Sequence, residues 1–109
     1  MKAILGGKIV TPSAVVDGMA ALFEDRIAAL VPESEVPANA EVIWANGNYV
    51  LPGLVDMHIH GYLGADASDG AFEGLKTMAE GVAKNGVTAF LPTTMTVSYP
   101  ELRAAFEQI

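Results

Sequence analysis

Between Leu51 and Ile59 the chain is apolar apart from Pro52-Gly53 near its start and Asp56 and His58 within it. A short run of this kind, bounded by turn residues, suits a strand of a parallel sheet buried on both faces. From Phe72 onward apolar residues fall at Leu75, Met78, Ala79, Val82 and Ala83, which is helical spacing. Lys84 complements the carboxyl end of that helix, and Asn85-Gly86 stops it. Val87 to Leu91 reads as a second strand, ending in Pro92-Thr93-Thr94. Ser98 and Glu101 then have the spacing of a capping box, and Leu102, Ala105, Phe106 and Ile109 lie on one helical face. Residues 53–109 therefore spell strand, helix, strand, helix. That is a βαβ unit with a second helix begun, and its crossover is expected to be right-handed. Two parallel strands cannot cover their own edges and both faces. The expected architecture is α/β: the first β-α-β-α portion of a (β/α)8 barrel, in the amino-terminal part of a longer protein. Were the 109 residues the whole molecule, self-association through open edges would be expected.

Residues 1–52 have a different texture and read as a small, sandwich-like antiparallel β domain. Lys2 to Leu5 and Lys8 to Val10 flank Gly6-Gly7, a two-residue hairpin signal. Asp17-Gly18 marks a turn after Val16. Met19 to Phe23 and Arg26 to Val31 flank Glu24-Asp25. Val42 to Trp44 and Tyr49 to Leu51 flank the turn cluster Ala45-Asn46-Gly47-Asn48. Residues 20–30 are rich enough in Ala and Leu to suit a helix. The recurrence of turn dipeptides every eight to twelve residues or so favours strands instead. Residues 32–40 and 61–70 read as loops. Trp44 and Tyr49 are expected to pack the β domain, and Met57, Met78 and Met95 to be ordinary core residues.

Charge and composition exclude several functions. Thirteen acidic residues face six basic ones, a formal net charge of −7. No basic stripe is present for a nucleic-acid backbone or an anionic membrane surface. The chain has no cysteine, so disulfide and thiolate chemistry are excluded. The apolar start Met1 to Leu5 is cut short by Gly6-Gly7-Lys8, unlike a signal peptide. No run approaches the roughly eighteen apolar residues of a membrane span. A cytoplasmic location is the expectation.

The chain's two histidines, His58 and His60, stand at the end of the first barrel strand. Alternate strand residues share a face, so Asp56, His58 and His60 lie on one side and Val55, Met57 and Ile59 on the other. Two imidazoles so placed can chelate one divalent metal, with Asp56 orienting a ring from behind. They can equally be a half-exposed polar face, or core histidines with satisfied hydrogen bonds. Context supports the metal: in a barrel, catalytic groups lie at the carboxyl ends of strands. His58, His60 and Gly61 close one strand, and Thr93 and Thr94 close the next. With no thiolate available, the ligands must be N and O atoms, which suits zinc or iron. Metal-activated hydrolysis of an amide or similar bond is the chemistry that follows.

The segment Pro52-Gly53-Leu54-Val55-Asp56-Met57-His58-Ile59-His60-Gly61 resembles the first-strand motif of the amidohydrolase superfamily. That motif alone is shared with dihydroorotases, cytosine deaminases and aminoacylases. With Gly86-Val87-Thr88-Ala89-Phe90-Leu91-Pro92-Thr93-Thr94 and a helix opening near Pro100, the chain more narrowly resembles the N-acetylglucosamine-6-phosphate deacetylase family. The resemblance spans essentially the whole chain, but only about the first third of such an enzyme. It implies removal of acetate from N-acetylglucosamine 6-phosphate, a sugar phosphate of amino sugar catabolism, by a metal-activated water. It implies His58 and His60 as ligands of one or two metals. It places the general base, the remaining ligands and the phosphate-binding residues beyond Ile109, so the 109 residues alone are expected to be inactive. It also implies a homodimer. The alternatives are another amidohydrolase and a non-catalytic fragment whose histidines hold no metal.

The other site candidates each have a structural reading. Asp56 suits a hydrogen-bond partner at the strand base as well as a support for a metal ligand. Asp66 and Asp69 follow the metal strand, and capping of the next helix is their simpler role. Thr93 and Thr94 face the rim, where strand-end threonines also serve structure alone.

Overall fold

The computed structural model describes all 109 residues, Met1–Ile109. Its first strands, β1 (Lys2–Leu5) and β2 (Lys8–Val10), flank Gly6-Gly7 but do not pair with each other. The hairpin expected there is not formed. The next strands are β3 (Val15–Val16), β4 (Met19–Phe23), β5 (Ile27–Pro32), β6 (Glu41–Trp44) and β7 (Tyr49–Val50). They make a four-stranded sheet in the order β5-β4-β1-β6 and a three-stranded sheet in the order β3-β2-β7. β1 runs parallel to β6, and β2 runs parallel to β7. The two segments pass from one sheet to the other side by side. Ala45 N–H donates to Leu5 O (2.8 Å), Gly47 N–H to Gly6 O (2.6 Å) and Lys8 N–H to Asn48 O (2.9 Å). A Cβ on Gly7 would lie 2.6 Å from Ala45 Cβ and 2.7 Å from Val50 Cγ2, so only glycine lets the two backbones approach this closely. The domain expected to be antiparallel is thus mixed. Turn dipeptides mark where a chain bends, and say nothing of which strand the next one pairs with.

The β4–β5 hairpin is antiparallel, as the sequence predicts, with Met19 opposite Pro32 and Phe23 opposite Ile27. Residues 20–30, the ambiguous stretch, lie mostly in these two strands. Ala20 and Leu22 are buried with Ala3 and Leu5, and Ala29, Val31, Val36 and Ala40 pack against them. A short 3-10 turn, Glu33–Glu35, interrupts the expected loop. Trp44 and Tyr49 are exposed, contrary to expectation. They sit on β6 and β7, the edge strands of the two sheets. The Trp44 ring lies over Gly6, and the Lys8 ammonium stands 5.6 Å from the Tyr49 ring centre.

Residues Met1–Pro52 form one compact unit and Gly53–Ile109 a second. The second contains β8 (Leu54–Ile59), β9 (Gly61–Tyr62), β10 (Ala65–Asp66), a 3-10 turn (Ala67–Asp69), α1 (Phe72–Ala83), β11 (Val87–Pro92) and α2 (Tyr99–Phe106). β8 and β11 pair in parallel, from Leu54 opposite Val87 to Ile59 opposite Pro92. The helix joining them spans the expected residues. Ser98 N–H and Oγ–H both donate to Glu101, which closes the predicted start of α2.

Four expectations fail in this unit, the last in part. Residues 61–70 are not a plain loop: β9 and β10 form an antiparallel ribbon turned at Leu63-Gly64, both with positive φ (52° and 82°). Asp69 does not cap α1. Its Oδ2 accepts from Asp66 N–H (3.0 Å), while Asp66 Oδ1 accepts from Ser68 N–H (2.7 Å), so the two carboxylates cap the 3-10 turn instead. Nor is β8 buried on both faces. Its one strand neighbour is β11, and Leu54, Val55 and Met57 are exposed. Of the three methionines expected in the core, Met78 on α1 is fully buried, whereas Met57 and Met95 are exposed.

Candidate metal centre

The pleat of β8 aims His58 to the same side as His60, which follows the strand's last residue. Their Nε2 atoms stand 3.1 Å apart, with ring centres 4.9 Å apart and planes at 79°. His58 is exposed and His60 half-buried. The outer ring nitrogen of His60, Nδ1, lies 2.9 Å from Thr93 O. A carbonyl oxygen only accepts, so Nδ1 carries the proton and Nε2 is left with a free lone pair. Without a metal, that lone pair accepts the Nε2–H of His58. The contact with Thr93 has a backbone origin. Thr93 N–H donates to Ile59 O (2.8 Å), carrying the β8–β11 ladder one step past β11 and setting the Thr93 carbonyl beside the His60 ring.

This arrangement fits a divalent ion. Two nitrogens bonded to one zinc at about 2.0–2.1 Å stand roughly 3–3.4 Å apart, and the observed separation lies in that range. A carbonyl behind the ring of a ligating histidine is the usual second partner of such a ligand. The donor set is small, however. No group of three or more His, Asp or Glu side chains is gathered anywhere in the chain.

The other candidates are placed as follows. Asp56 Oδ1 accepts from His58 N–H (3.0 Å), so the carboxylate holds the strand backbone and not a ring. Gly61 opens the β9–β10 ribbon, where an added Cβ would stand 2.5 Å from Ala65 O. Thr93 contributes its main-chain carbonyl to His60, while its hydroxyl donates to Leu91 O (3.2 Å). Thr94 follows it, half-buried. Several contributors escaped the sequence reading. Ala67 N–H donates to His60 O (2.7 Å), Met95 N–H to Ser68 Oγ (2.7 Å), and Asn85 Nδ2 to the Tyr62 hydroxyl (2.8 Å). Asp66-x-x-Asp69 was the readable signal for the turn that carries Ala67 and Ser68, since it has capping-box spacing. Nothing local signalled its partner.

Residues 49–109 match the amidohydrolase family, and the chain belongs to it. Members of that family are generally metal-dependent. Within it, the chain is 32% identical over 93 residues to an N-acetylglucosamine-6-phosphate deacetylase from Vibrio furnissii, covering 85% of this chain and 23% of that protein. The crystal structure of N-acetylglucosamine-6-phosphate deacetylase from Pasteurella multocida superposes with a TM-score of 0.85 at 30% identity, covering 97% of this chain and 28% of that one. A dihydroorotase from Halalkalibacterium halodurans is 34% identical over 96 residues, covering 86% of this chain and 22% of that protein. The chain thus spans about a quarter of the length of the relatives it matches. No helix of the chain is long and apolar enough to cross a membrane.

Proposed function

We propose that the protein carrying this chain is a metal-dependent amide hydrolase that releases acetate from N-acetylglucosamine 6-phosphate, leaving glucosamine 6-phosphate. The observation that carries this reading is the pair of Nε2 atoms 3.1 Å apart at a strand end, one of them with its proton held on the far nitrogen by Thr93 O. The choice of substrate is supported by the similarity to named deacetylases over most of the chain. His58 and His60 hold one or two divalent ions, zinc or iron, and Thr93 holds the His60 ring in the ligating tautomer. An ion bound there supplies Lewis acidity, which lowers the pKa of water toward neutrality and polarises an amide carbonyl. Asp56 steadies the strand through the His58 amide. Gly61 and Thr94 border the substrate. The protein works as a homodimer in the cytoplasm.

The test is metal content and acetate release by the natural-length protein, with His58→Ala and His60→Ala. Loss of at least half the bound metal and of acetate release in each variant is expected. Unchanged metal content in both would overturn the assignment. The 109 residues alone are expected to bind zinc weakly and to release no acetate, because two nitrogens complete only half of a usual coordination sphere. Nanomolar zinc affinity in calorimetry would contradict this. The dihydroorotase similarity supports a second reading, hydrolysis of a cyclic amide. Assaying both substrates with one preparation separates the two.

A further inference from the structure

We propose that Ser68 is a positioning residue for His60, acting through the Thr93 carbonyl. This rests on His58 and His60 being the metal ligands proposed above. Residues 93–95 have neither helix nor strand geometry. Their backbone is anchored on one side by Thr93 N–H to Ile59 O (2.8 Å). On the other side, Met95 N–H donates to Ser68 Oγ (2.7 Å), across 27 residues of sequence. The carbonyl that holds the His60 ring lies between these two anchors. Ser68 is itself well fixed. Its N–H is held by Asp66 Oδ1 (2.7 Å), and the neighbouring Ala67 N–H holds His60 O (2.7 Å). One 3-10 turn therefore grips His60 twice, directly by its main chain and indirectly through the Ser68 hydroxyl.

The chemistry of the tether separates its local effect from any effect on the fold. Met95 is exposed, so its N–H takes up water when the hydroxyl is lost, and the fold loses little. The Thr93 carbonyl, then anchored on one side only, holds the Nδ1 proton of His60 less firmly. Partners behind a ligating histidine typically contribute about 10–100-fold to metal affinity. Ser68 acts one step further out, so about 3–10-fold is expected.

The natural-length protein is compared with Ser68→Ala and Ser68→Thr, with His58→Ala and His60→Ala as controls. Bound zinc is challenged with a chelator. Separately, exchange of the His60 Nδ1 proton is followed by NMR in metal-free, 15N-histidine-labelled protein, the resonance being identified by its loss in His60→Ala. Ser68→Ala should lose zinc about 3–10-fold faster and exchange the ring proton faster, with an unchanged unfolding midpoint. Ser68→Thr, which keeps the hydroxyl, should match the parent. If Ser68→Ala does not fold, Ser68→Cys, a weak acceptor, serves in its place. Parent-like ring-proton exchange in the serine-less variant overturns the proposal, as does a threonine variant as impaired as the alanine one. Zinc retained by both histidine controls overturns the metal reading instead, and the exchange measurement then judges Ser68 alone.

Discussion

The two compact units hold themselves together differently. In Met1–Pro52 the main sheet finds its cover within the unit: Ala3, Leu5, Ala20 and Leu22 are buried behind Ala29, Val31, Val36 and Ala40. In Gly53–Ile109 the two-stranded sheet keeps Leu54, Val55, Met57 and Leu91 exposed. Its strand ends are instead tied by hydrogen bonds on and around His60, which involve Thr93 O, Ala67 N–H and Ser68 Oγ. A site can thus be organised by hydrogen bonds at strand ends on a scaffold that leaves much of its sheet's apolar surface bare. Stability and site geometry are then separable, and mutations should sort accordingly.

Core truncation is the most forceful way to break this contrast. Leu22→Ala should cost about 2–4 kcal/mol in a denaturant titration of the 109-residue chain. Met57→Ala, at a residue 75% exposed, should change stability by less than about 0.5 kcal/mol. Equal losses would show that the bare face of β8 contributes as much as the buried sheet, and the comparison would fail.

Two glycines sharpen it at intermediate size. Gly7→Ala places a Cβ against Ala45, Val50 and Asn48 O at once, and should cost about 1–3 kcal/mol of unfolding free energy. Gly61→Ala meets Ala65 O at 2.5 Å and Asp66 Cα at 3.3 Å, but within a ribbon of two residues a side that carries none of the buried sheet. Its effect should appear chiefly as weakened zinc retention in the natural-length protein, with a smaller shift in midpoint than Gly7→Ala. A larger midpoint shift for Gly61→Ala would place the ribbon among the elements that hold the fold.

The smallest effect concerns pH. The Ser98 hydroxyl, and then the Ser98 N–H, lower the Glu101 carboxyl below its ordinary value of 4.5. A carboxylate with a depressed pKa stabilises the fold fully above its ordinary value and loses that contribution as pH falls through the lowered one. The amino-terminal turn of α2 should therefore fray only below about pH 4.5. Glu101→Gln should remove the pH dependence, as followed by helix amide exchange. Fraying that persists in the glutamine variant would assign it to another group.

Much of the second unit was legible in the sequence because its signals are local. Helical spacing from Phe72, the stop at Asn85-Gly86 and the Ser98–Glu101 box each depend on residues within a turn or two of one another. Alternation along β8 likewise put His58 and His60 on one side, where their rings now stand. The first unit was less legible. Gly6-Gly7 marked a real bend, but β1 and β2 find their parallel partners at β6 and β7, some 40 residues away. Asp69 reads as a helix cap because its nearest helix follows it. The turn that it closes is signalled only by the Asp66-x-x-Asp69 spacing, in a segment without strong periodicity.

The sequence by itself determined the order of β8, α1, β11 and α2 and the placing of two imidazoles together at a strand end, because periodicity and turn chemistry are properties of neighbouring residues. Only the tertiary structure decided which strands share a sheet, that Asp56 serves the backbone, and that Thr93 O selects the proton-bearing nitrogen of His60. Those outcomes depend on hydrogen bonds closed across long loops. Every backbone donor and acceptor offers the same chemistry, so only the folded path selects its partner.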